Sequence, residues 1–350
     1  MKNRSKFLIH ALVVLLVLVF GFSACAPTTP TEAPAVTETL SADQETAESP
    51  TVPSPTSAPE LPTVLFMVGA QANPEMAVRI EEALRELAAG SQQDFKVLQG
   101  LSEDQIAPNV ALVVGLGQDL DLAGAATRAP QTAFVAVGHP EVVPATNLSV
   151  VGDPTSDQER QSFMAGYLTA LLSNDYKVAA LTAPEAEWRT LVLDAFTVGA
   201  EFFCGSCRPL YPPYLDFPQS YDLSEEAAAA DFRPTIDSLA ANGVEIVYVP
   251  GPLATPDLLT YLGERGIKVV GDQSPDMIRN NWVGTVVADP VPALEMMWSD
   301  WAAGVEGLRL PGKIRLIDTD AGLVSEGRQR LFDETNADLE AGLIFPRSVP

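Results

Sequence analysis

The feature that most constrains the fold is an alternation of buried-type strands with helical stretches that begins at residue 63. Residues 63–68 form a nearly continuous apolar run that ends at Gly69, as is typical of a parallel strand buried on both faces. Residues 74–89 then place Met76, Ile80 and Leu84 on one helical face. Further strands are predicted at 110–114, 132–137, 148–151, 178–181, 245–249, 268–271, 283–287 and 314–317. Further helices are predicted at 157–173, 185–201, 231–242, 256–265 and 290–304.

This order of elements predicts an α/β protein. Strands separated by helices pair in parallel because each helix carries the chain back across the sheet. The folded part, residues 63–350, is long for one lobe, so the sequence favours two.

The first 24 residues predict an export signal. Lys2, Arg4 and Lys6 precede an apolar run at 8–22, and small residues then lead directly to Cys25. This ending is typical of a bacterial lipoprotein signal, in which Cys25 is lipidated and the chain is cut before it. The alternative is an uncleaved N-terminal anchor. Both interpretations predict an extracytoplasmic protein attached to the cell membrane.

Residues 25–62 predict a lipidated cysteine followed by a disordered tether. The stretch from residue 26 is rich in Pro, Thr and Glu and contains no Lys, Arg or aromatic residue. Such a composition buries too little apolar surface to offset the entropy of ordering the chain. We therefore expect it to hold the folded body away from the membrane.

Charge excludes one class of partner. The chain has 21 Lys and Arg against 46 Asp and Glu, a net charge of -25 at pH 7. Such a surface repels phosphate backbones, so nucleic-acid binding is excluded, and it is not attracted to anionic lipid. The predicted acyl anchor is left as the membrane contact.

Candidate ligand-binding residues follow the predicted strands, because ligands of open α/β sheets collect beyond the carboxyl ends of the strands. They are Gln71, Asn73, His139, Asp153, Trp188, Gly251, Asp272 and Gln273. Three have a structural alternative: Asp153 as a helix cap, Trp188 as core packing and His139 as a loop residue. Asp272 and Gln273 have little structural need to follow a buried strand, and the whole set suits a small polar molecule.

Several segments in order resemble the basic membrane protein family of substrate-binding lipoproteins. They are residues 153–172, 177–181, 196–200, 239–248, 266–273 and 283–289. The resemblance implies a type I periplasmic-binding-protein fold, with two Rossmann-like lobes that close on a ligand. It also implies delivery of a nucleoside-like ligand to an ABC permease, without a cofactor. The expected lobes are 63–151 plus 289–350, with a final segment free to cross back, and 152–288.

The chain departs from the family pattern at two positions. The loop after the first strand, residues 69–73, lacks the acidic residue and the Phe that the family carries there. The family's acidic helix position is occupied by Arg160, or displaced by one residue to Glu159. Carboxylates at such positions would accept hydrogen bonds from ribose hydroxyls. Because both positions differ here, the resemblance does not determine which ligand the chain binds.

Cys204 and Cys207 form a lone pair in a predicted loop. In an oxidising compartment a small disulfide is the simplest interpretation, with a redox-active pair as the alternative. A zinc site would need two further ligands, and the mature chain offers no other Cys and only His139. We predict no metal.

The sequence motifs do not support an enzymatic function. The chain has no phosphate-cradling Gly-Lys-Ser/Thr loop and no Gly-x-Ser-x-Gly elbow. Two binding hypotheses remain. The first is the solute receptor of an ABC importer, and the alternative is a sensory or scaffold lipoprotein that binds a ligand without transporting it.

Overall fold

The computed structural model of the chain describes residues 60–347, apart from residues 71, 101, 103, 104, 118, 140 and 303–306. Cys25, the export signal and nearly all of the tether lie outside the described residues. None of the helices in the described part is both long and apolar enough to cross a membrane.

The strands and helices alternate along almost the whole described chain. The strands are β1 (Thr63–Val68), β2 (Asp94–Gln99), β3 (Val110–Leu116), β4 (Ala133–Val137), β5 (Leu148–Val151), β6 (Val178–Thr182), β7 (Gln219–Asp222), β8 (Ile246–Val249), β9 (Lys268–Gly271), β10 (Trp282–Asp289), β11 (Arg309–Leu310) and β12 (Lys313–Ile317). The helices are α1 (Pro74–Gly90), α2 (Leu122–Arg128), α3 (Pro154–Leu172), α4 (Arg189–Cys204), α5 (Glu225–Ala230), α6 (Arg233–Ala241), α7 (Pro256–Glu264), α8 (Val291–Ala302) and α9 (Glu326–Glu340).

These strands form two sheets. The first has the order β11-β5-β4-β3-β1-β2 and the second has the order β12-β10-β9-β8-β6-β7. Neighbouring strands are parallel except for β10 and β12, which are antiparallel with Asp289 opposite Lys313. The predicted α/β class with mostly parallel sheets is confirmed.

The chain passes between the sheets three times: after β5, after β10, and between β11 and β12. We call each sheet and the helices packed on it the first lobe and the second lobe. Strand pairing places 313–317 in the second sheet, and Phe332 and Leu339 of α9 belong to the second-lobe core. The described part of the chain from residue 313 onward therefore packs with the second lobe.

Each sheet is covered on both faces. In the first lobe, α1 and α8 pack on one face and α2 packs on the other. In the second lobe one continuous apolar cluster joins the sheet to α3, α4, α6 and α7. A Cβ at Gly166 would collide with the backbone oxygen of Phe196, and one at Gly199 with that of Phe163, so these glycines let α3 and α4 approach closely.

Candidate ligand-binding cleft

A cleft of about 920 Å³ lies where α1 of the first lobe faces the ends of three second-lobe strands. The first lobe contributes Asn73, Glu75, Met76, Val78 and Arg79. The second lobe contributes Gln161, Asp272, Gln273, Ser274, Pro275, Asp276, Ile278, Val287, Ala288, Ile317 and Asp318. Most of the second-lobe residues follow β9, belong to the end of β10, or follow β12, as expected for a ligand site in an open α/β sheet.

Asp272, which directly follows β9, is held by two hydrogen bonds. Tyr248 donates its hydroxyl to one carboxylate oxygen at 3.0 Å, and the backbone N–H of Gly251 donates to the other at 2.6 Å. Burial raises the pKa of Asp272 to about 6, although both donors act in the opposite direction. The carboxylate is thus fixed in position and changes charge within the physiological pH range.

Asp318 supplies a second carboxylate from the end of β12. Ser274 donates its hydroxyl to one oxygen of Asp318 at 2.6 Å, and Thr285 donates to the same oxygen at 2.7 Å. The backbone of Asp318 has φ +52°, in the left-handed region that Asp tolerates better than most side chains. This backbone conformation and the two hydrogen bonds fix the carboxylate at the wall of the cleft.

Gln161 of α3 forms hydrogen bonds to the backbone of two neighbouring strand segments. Its side-chain nitrogen donates to the backbone oxygens of Asp272 at 3.0 Å and Val286 at 2.6 Å. These carbonyls lie just beyond the last paired residues of β9 and β10, Gly271 and Thr285, where the ladder between the two strands has stopped. The amide therefore replaces missing sheet hydrogen bonds beside Asp272.

The first-lobe wall combines Met76 and Val78 with Glu75 and with two polar residues that already have partners, Asn73 and Arg79. Asn73 caps α1 by accepting from the Met76 N–H at 3.0 Å. Arg79 forms an ion pair with Asp289, a fully buried carboxylate that also binds Arg315 at 2.8 Å. The four acids that line the cleft outnumber Arg79, its one lining cation among the described residues, so the cleft has a net negative charge. Those acids are Glu75, Asp272, Asp276 and Asp318.

Three of the predicted site residues line this cleft: Asn73, Asp272 and Gln273. Gly251 lies beside it, in a smaller pocket of about 330 Å³ that shares Gln273. A side chain at Gly251 would collide with the Gln273 amide, so the glycine leaves room for it. Gln71 lies outside the described residues.

The other three predicted residues do not line the cleft. Asp153 caps α3, because its side chain accepts a hydrogen bond from the Ser156 N–H at 3.1 Å. This helix cap is the structural role given above as the alternative to ligand binding. Trp188 precedes α4 and packs against the second-lobe core. His139 follows β4 and is buried, and its Nε2 has no hydrogen-bond partner. Burial lowers the pKa of His139 despite the nearby charge of Asp119, so the ring is neutral at pH 7.

The two candidates for the family's acidic helix position also lie away from the cleft lining. Arg160 binds the carboxylate of Asp157 at 2.6 Å and the backbone oxygen of Gly312 at 2.8 Å. Asp157 in turn accepts from the Gly312 N–H at 3.0 Å, and burial raises its pKa. Arg160 and Asp157 thus join the first and third passages between the lobes. Glu159 forms an ion pair with Arg347.

Sequence reasoning missed Gln161, Ser274, Arg79 and Asp318 as cleft residues. Asp318 does follow a predicted strand, but in so acidic a chain an aspartate at that position is expected by chance. Gln161 and Arg79 lie within helices, where a strand-end rule does not find them.

Two other predictions concern covalent and metal chemistry. Cys204 and Cys207 form a disulfide, as the simplest interpretation of the pair predicts. Within the described ranges, no group of three or more His, Cys, Asp or Glu side chains is arranged to hold a metal ion.

Comparison by sequence finds no relative: no family model matches the chain, and no curated protein matches it. Solved structures do match. A transcriptional activator of the comK gene from Bacillus halodurans is 15% identical, with a TM-score of 0.58 over 81% of this chain and 100% of that one. An ABC transporter solute-binding protein from Aeropyrum pernix K1 is 14% identical, with a TM-score of 0.52 over 81% and 92%.

AraP, an arabinose-binding protein from Geobacillus stearothermophilus, is 12% identical, with a TM-score of 0.52 over 75% of this chain and 98% of that one. At such identities these matches establish the fold alone. The chain has a periplasmic-binding-protein fold with two mostly parallel α/β sheets. Membership of the basic membrane protein family stays a prediction.

Proposed function

We propose that the chain is a membrane-anchored, extracytoplasmic solute-binding protein that captures a small polar ligand in this cleft and delivers it to an ABC permease. The observation that carries the proposal is the convergence of fixed polar groups at the ends of β9, β10 and β12. Asp272, Ser274 and Asp318 line one wall of a cleft large enough for a small molecule. The fold is one that solute-binding proteins share.

The charges of the cleft define the class of ligand. Ionised carboxylates only accept hydrogen bonds, so Asp272 and Asp318 favour a ligand that presents hydroxyl or N–H donors. The net negative charge of the cleft disfavours phosphates and carboxylates. We therefore propose a neutral or cationic ligand rich in hydroxyl groups. One of the solved structures with this fold is, by its name, an arabinose-binding protein.

A nucleoside, the cargo that the family resemblance implies, fits this description in part. Its ribose hydroxyls would donate to the carboxylates, and its base would contact the aliphatic side chains of Met76, Ile278 and Val287. No aromatic side chain is among the described residues that line the cleft, so the base would gain no ring stacking from them. Free sugars and polyols therefore belong in the same screen as nucleosides.

A thermal-shift screen tests the capture of ligand. The chain from residue 26, which omits the predicted lipidated cysteine, is heated with nucleosides, sugars, polyols and amines, and with nucleotides and sugar phosphates as the anionic control. Binding to the native state raises the melting temperature, and the stabilisation grows with the logarithm of the ligand concentration above the Kd. We expect stabilisation by at least one neutral or cationic compound. Stabilisation by the anionic set alone would contradict the proposal.

The anchor is tested separately, because Cys25 lies outside the described residues. Mass spectrometry of the N-terminal peptide should show an acylated Cys25, and Cys25→Ser should release the protein from the membrane fraction. A chain that keeps residues 1–24 would support the uncleaved anchor instead.

The alternative function is a sensory or scaffold lipoprotein that binds its ligand without transport. The first-lobe wall motivates it, since the loop after β1 lacks the family's acidic residue and Arg79 is already paired. Uptake of the identified ligand by cells with and without the protein separates the two functions. Unchanged uptake, together with retained binding, would favour the sensor.

A further inference from the structure

Large apolar side chains are concentrated on the surface between the end of α4 and β7. We call this group the apolar patch; its members are Phe202, Phe203, Leu210, Tyr211, Tyr214 and Leu215. Leu210, Tyr211 and Tyr214 are 70%, 68% and 72% exposed. Single exposed apolar residues are ordinary, but so many within 14 residues indicate an interaction surface.

The loop that carries the patch is fixed at its base. Asp175 is buried and accepts from the backbone N–H groups of Leu210 at 2.5 Å and Tyr211 at 3.2 Å. Lys177, which is also buried, pairs with Asp175 at 2.9 Å and donates to the backbone oxygen of Pro212 at 3.0 Å. These contacts satisfy the backbone of the loop while its large side chains remain exposed.

Two further contacts hold the start of the loop. Cys204 at the end of α4 is bonded to Cys207, which is fully buried in the second-lobe core. Phe203 packs edge-on against Tyr167 of α3, with ring centroids 5.6 Å apart. The exposed side chains are thus presented by an ordered support.

The patch is separate from the ligand cleft. The loop enters β7 at its amino end, whereas the cleft includes Asp272 and Gln273, which follow the carboxyl end of β9, a strand parallel to β7. In a parallel sheet these are opposite edges. A partner on the patch would therefore leave the cleft accessible.

The residue types of the patch fit the interface of a lipid bilayer. Residues 202–215 contain Arg208 and no Asp or Glu, in a chain whose net charge is -25. The exposed tyrosines combine an apolar ring with a hydroxyl group, which suits the headgroup region. The patch itself therefore carries no negative charge, and the exposed Glu201 and Asp216 lie at its two ends, so its apolar side chains are better suited to a neutral bilayer surface than to anionic lipid.

The predicted tether brings a bilayer within reach. Residues 26–62 would span at most about 115 Å as an extended polyproline-like segment, at roughly 3.1 Å per residue. A folded body of this size has a radius of gyration of only about 19 Å. An anchor at Cys25 therefore allows the far edge of the second lobe to reach the membrane surface.

We propose that the apolar patch inserts into the membrane interface and gives the anchored protein a second membrane contact. The proposal rests on the proposed membrane anchoring, which supplies the high local concentration of lipid. A weak apolar contact becomes effective when a tether makes it intramolecular. The patch would then orient the second lobe, whereas the tether alone would leave it free to tumble.

The experiment replaces the cellular anchor with a chemical one, so that its outcome does not depend on lipidation in the cell. The chain from Cys25 onward is coupled through that thiol to maleimide lipid in neutral phosphatidylcholine vesicles with brominated acyl chains. Tyr211→Trp places a fluorescent probe in the patch. Val143→Trp, at a first-lobe residue that is 76% exposed, is the matched control. Tyr214→Trp is a second probe in case the first variant folds poorly.

The chain already contains four tryptophans, so each probe is read as the difference from the coupled chain without the added Trp. We expect the difference emission of the patch probes to lie at shorter wavelength and to be quenched by bromine, with neither change at the control position. Tyr214→Ser should weaken the quenching of Tyr211→Trp. Absence of quenching at both patch probes in coupled, folded protein would overturn the proposal, as would equal quenching at position 143. A soluble dimer that Tyr211→Ser and Tyr214→Ser together convert to a monomer would also overturn it, because the patch would then bind a second copy of the chain.

Discussion

The two walls of the cleft are built in different ways. The second-lobe wall presents Asp272, Ser274 and Asp318 from strand ends, each fixed by hydrogen bonds within its own lobe. The first-lobe wall is a helix surface that presents Glu75, Met76, Val78 and the already paired Arg79. Under the proposed function, the second lobe selects the ligand by hydrogen bonding, while Met76 and Val78 of the first lobe add apolar contact.

Removing the charge of Asp318 should have the largest effect on binding. Asp318→Asn keeps the shape of the side chain but loses charge-assisted hydrogen bonds, which contribute about 1.5–3 kcal/mol each. We expect affinity to fall by roughly 10-fold to 100-fold, measured by calorimetry with the ligand from the screen. Ser274→Ala is the control for the loss of one supporting hydrogen bond, and it should cost less. Equal affinity of wild type and Asp318→Asn would remove this carboxylate from the site.

Asp272 should make binding pH-dependent. Its pKa is about 6 in the folded chain, so at pH 5 only about a tenth of the molecules carry the charge. A ligand that donates to this carboxylate should bind about tenfold more weakly at pH 5 than at pH 7, and Asp272→Asn should abolish that difference. If the affinity of wild type and that of Asp272→Asn depend on pH in the same way, the ionised Asp272 carboxylate does not bind the ligand.

Lowering the pH should weaken ligand binding through Asp272, but it should increase the contribution of Asp272 to the stability of the folded protein. Because burial raises the pKa of Asp272 above its ordinary value near 4, the native state binds more protons than the unfolded state between about pH 4 and 6. The contribution of Asp272 to the free energy of unfolding therefore increases as the pH falls through this range. Denaturant titrations of wild type and Asp272→Asn measure this contribution as the difference between their free energies of unfolding. We expect the difference to favour wild type more at pH 5 than at pH 7.

A change in the first-lobe wall should be milder. Met76→Ala removes apolar contact area without touching a hydrogen bond, and we expect a loss of about 1 kcal/mol, or roughly fivefold in affinity. Calorimetry with the same ligand measures it. A loss larger than that of Asp318→Asn would reverse the roles assigned to the two walls.

His139 should have the smallest effect. It lies at a strand end of the first sheet, but it is buried and does not line the cleft. His139→Gln should therefore leave affinity unchanged in calorimetry, provided that circular dichroism shows a folded protein. A marked loss of affinity in folded protein would show that the first sheet reaches the ligand through this residue.

Much of the fold was predictable because buried parallel strands and amphipathic helices have clear patterns. The run at β1 and the apolar face of α1 are examples. Elements with weak patterns were missed: β7 is a short, largely polar edge strand, α2 is rich in Ala and Gly, and α9 is mostly polar. Their positions depend on contacts with the rest of the fold.

The cleft was predictable only where a polar residue directly follows a strand. Asp272 and Gln273 were found by this rule, but Asp153 satisfies it equally and is a helix cap. Sequence spacing does not show which strand ends face the cleft. It also does not show that Gln161 reaches Asp272 across 111 residues of chain. The first depends on how the lobes are arranged, and the second on how α3 packs on the second sheet.

The central claim, that the second-lobe carboxylates select a neutral or cationic ligand, is tested most directly by one comparison. Wild type and the double variant Asp272→Asn with Asp318→Asn are screened side by side by thermal shift, against neutral sugars and nucleosides and against their phosphorylated forms. We predict that a neutral compound stabilises wild type, that its phosphorylated form does not, and that the double variant loses the shift. Stabilisation that persists in the double variant, or that is stronger with the phosphorylated form, would contradict the claim.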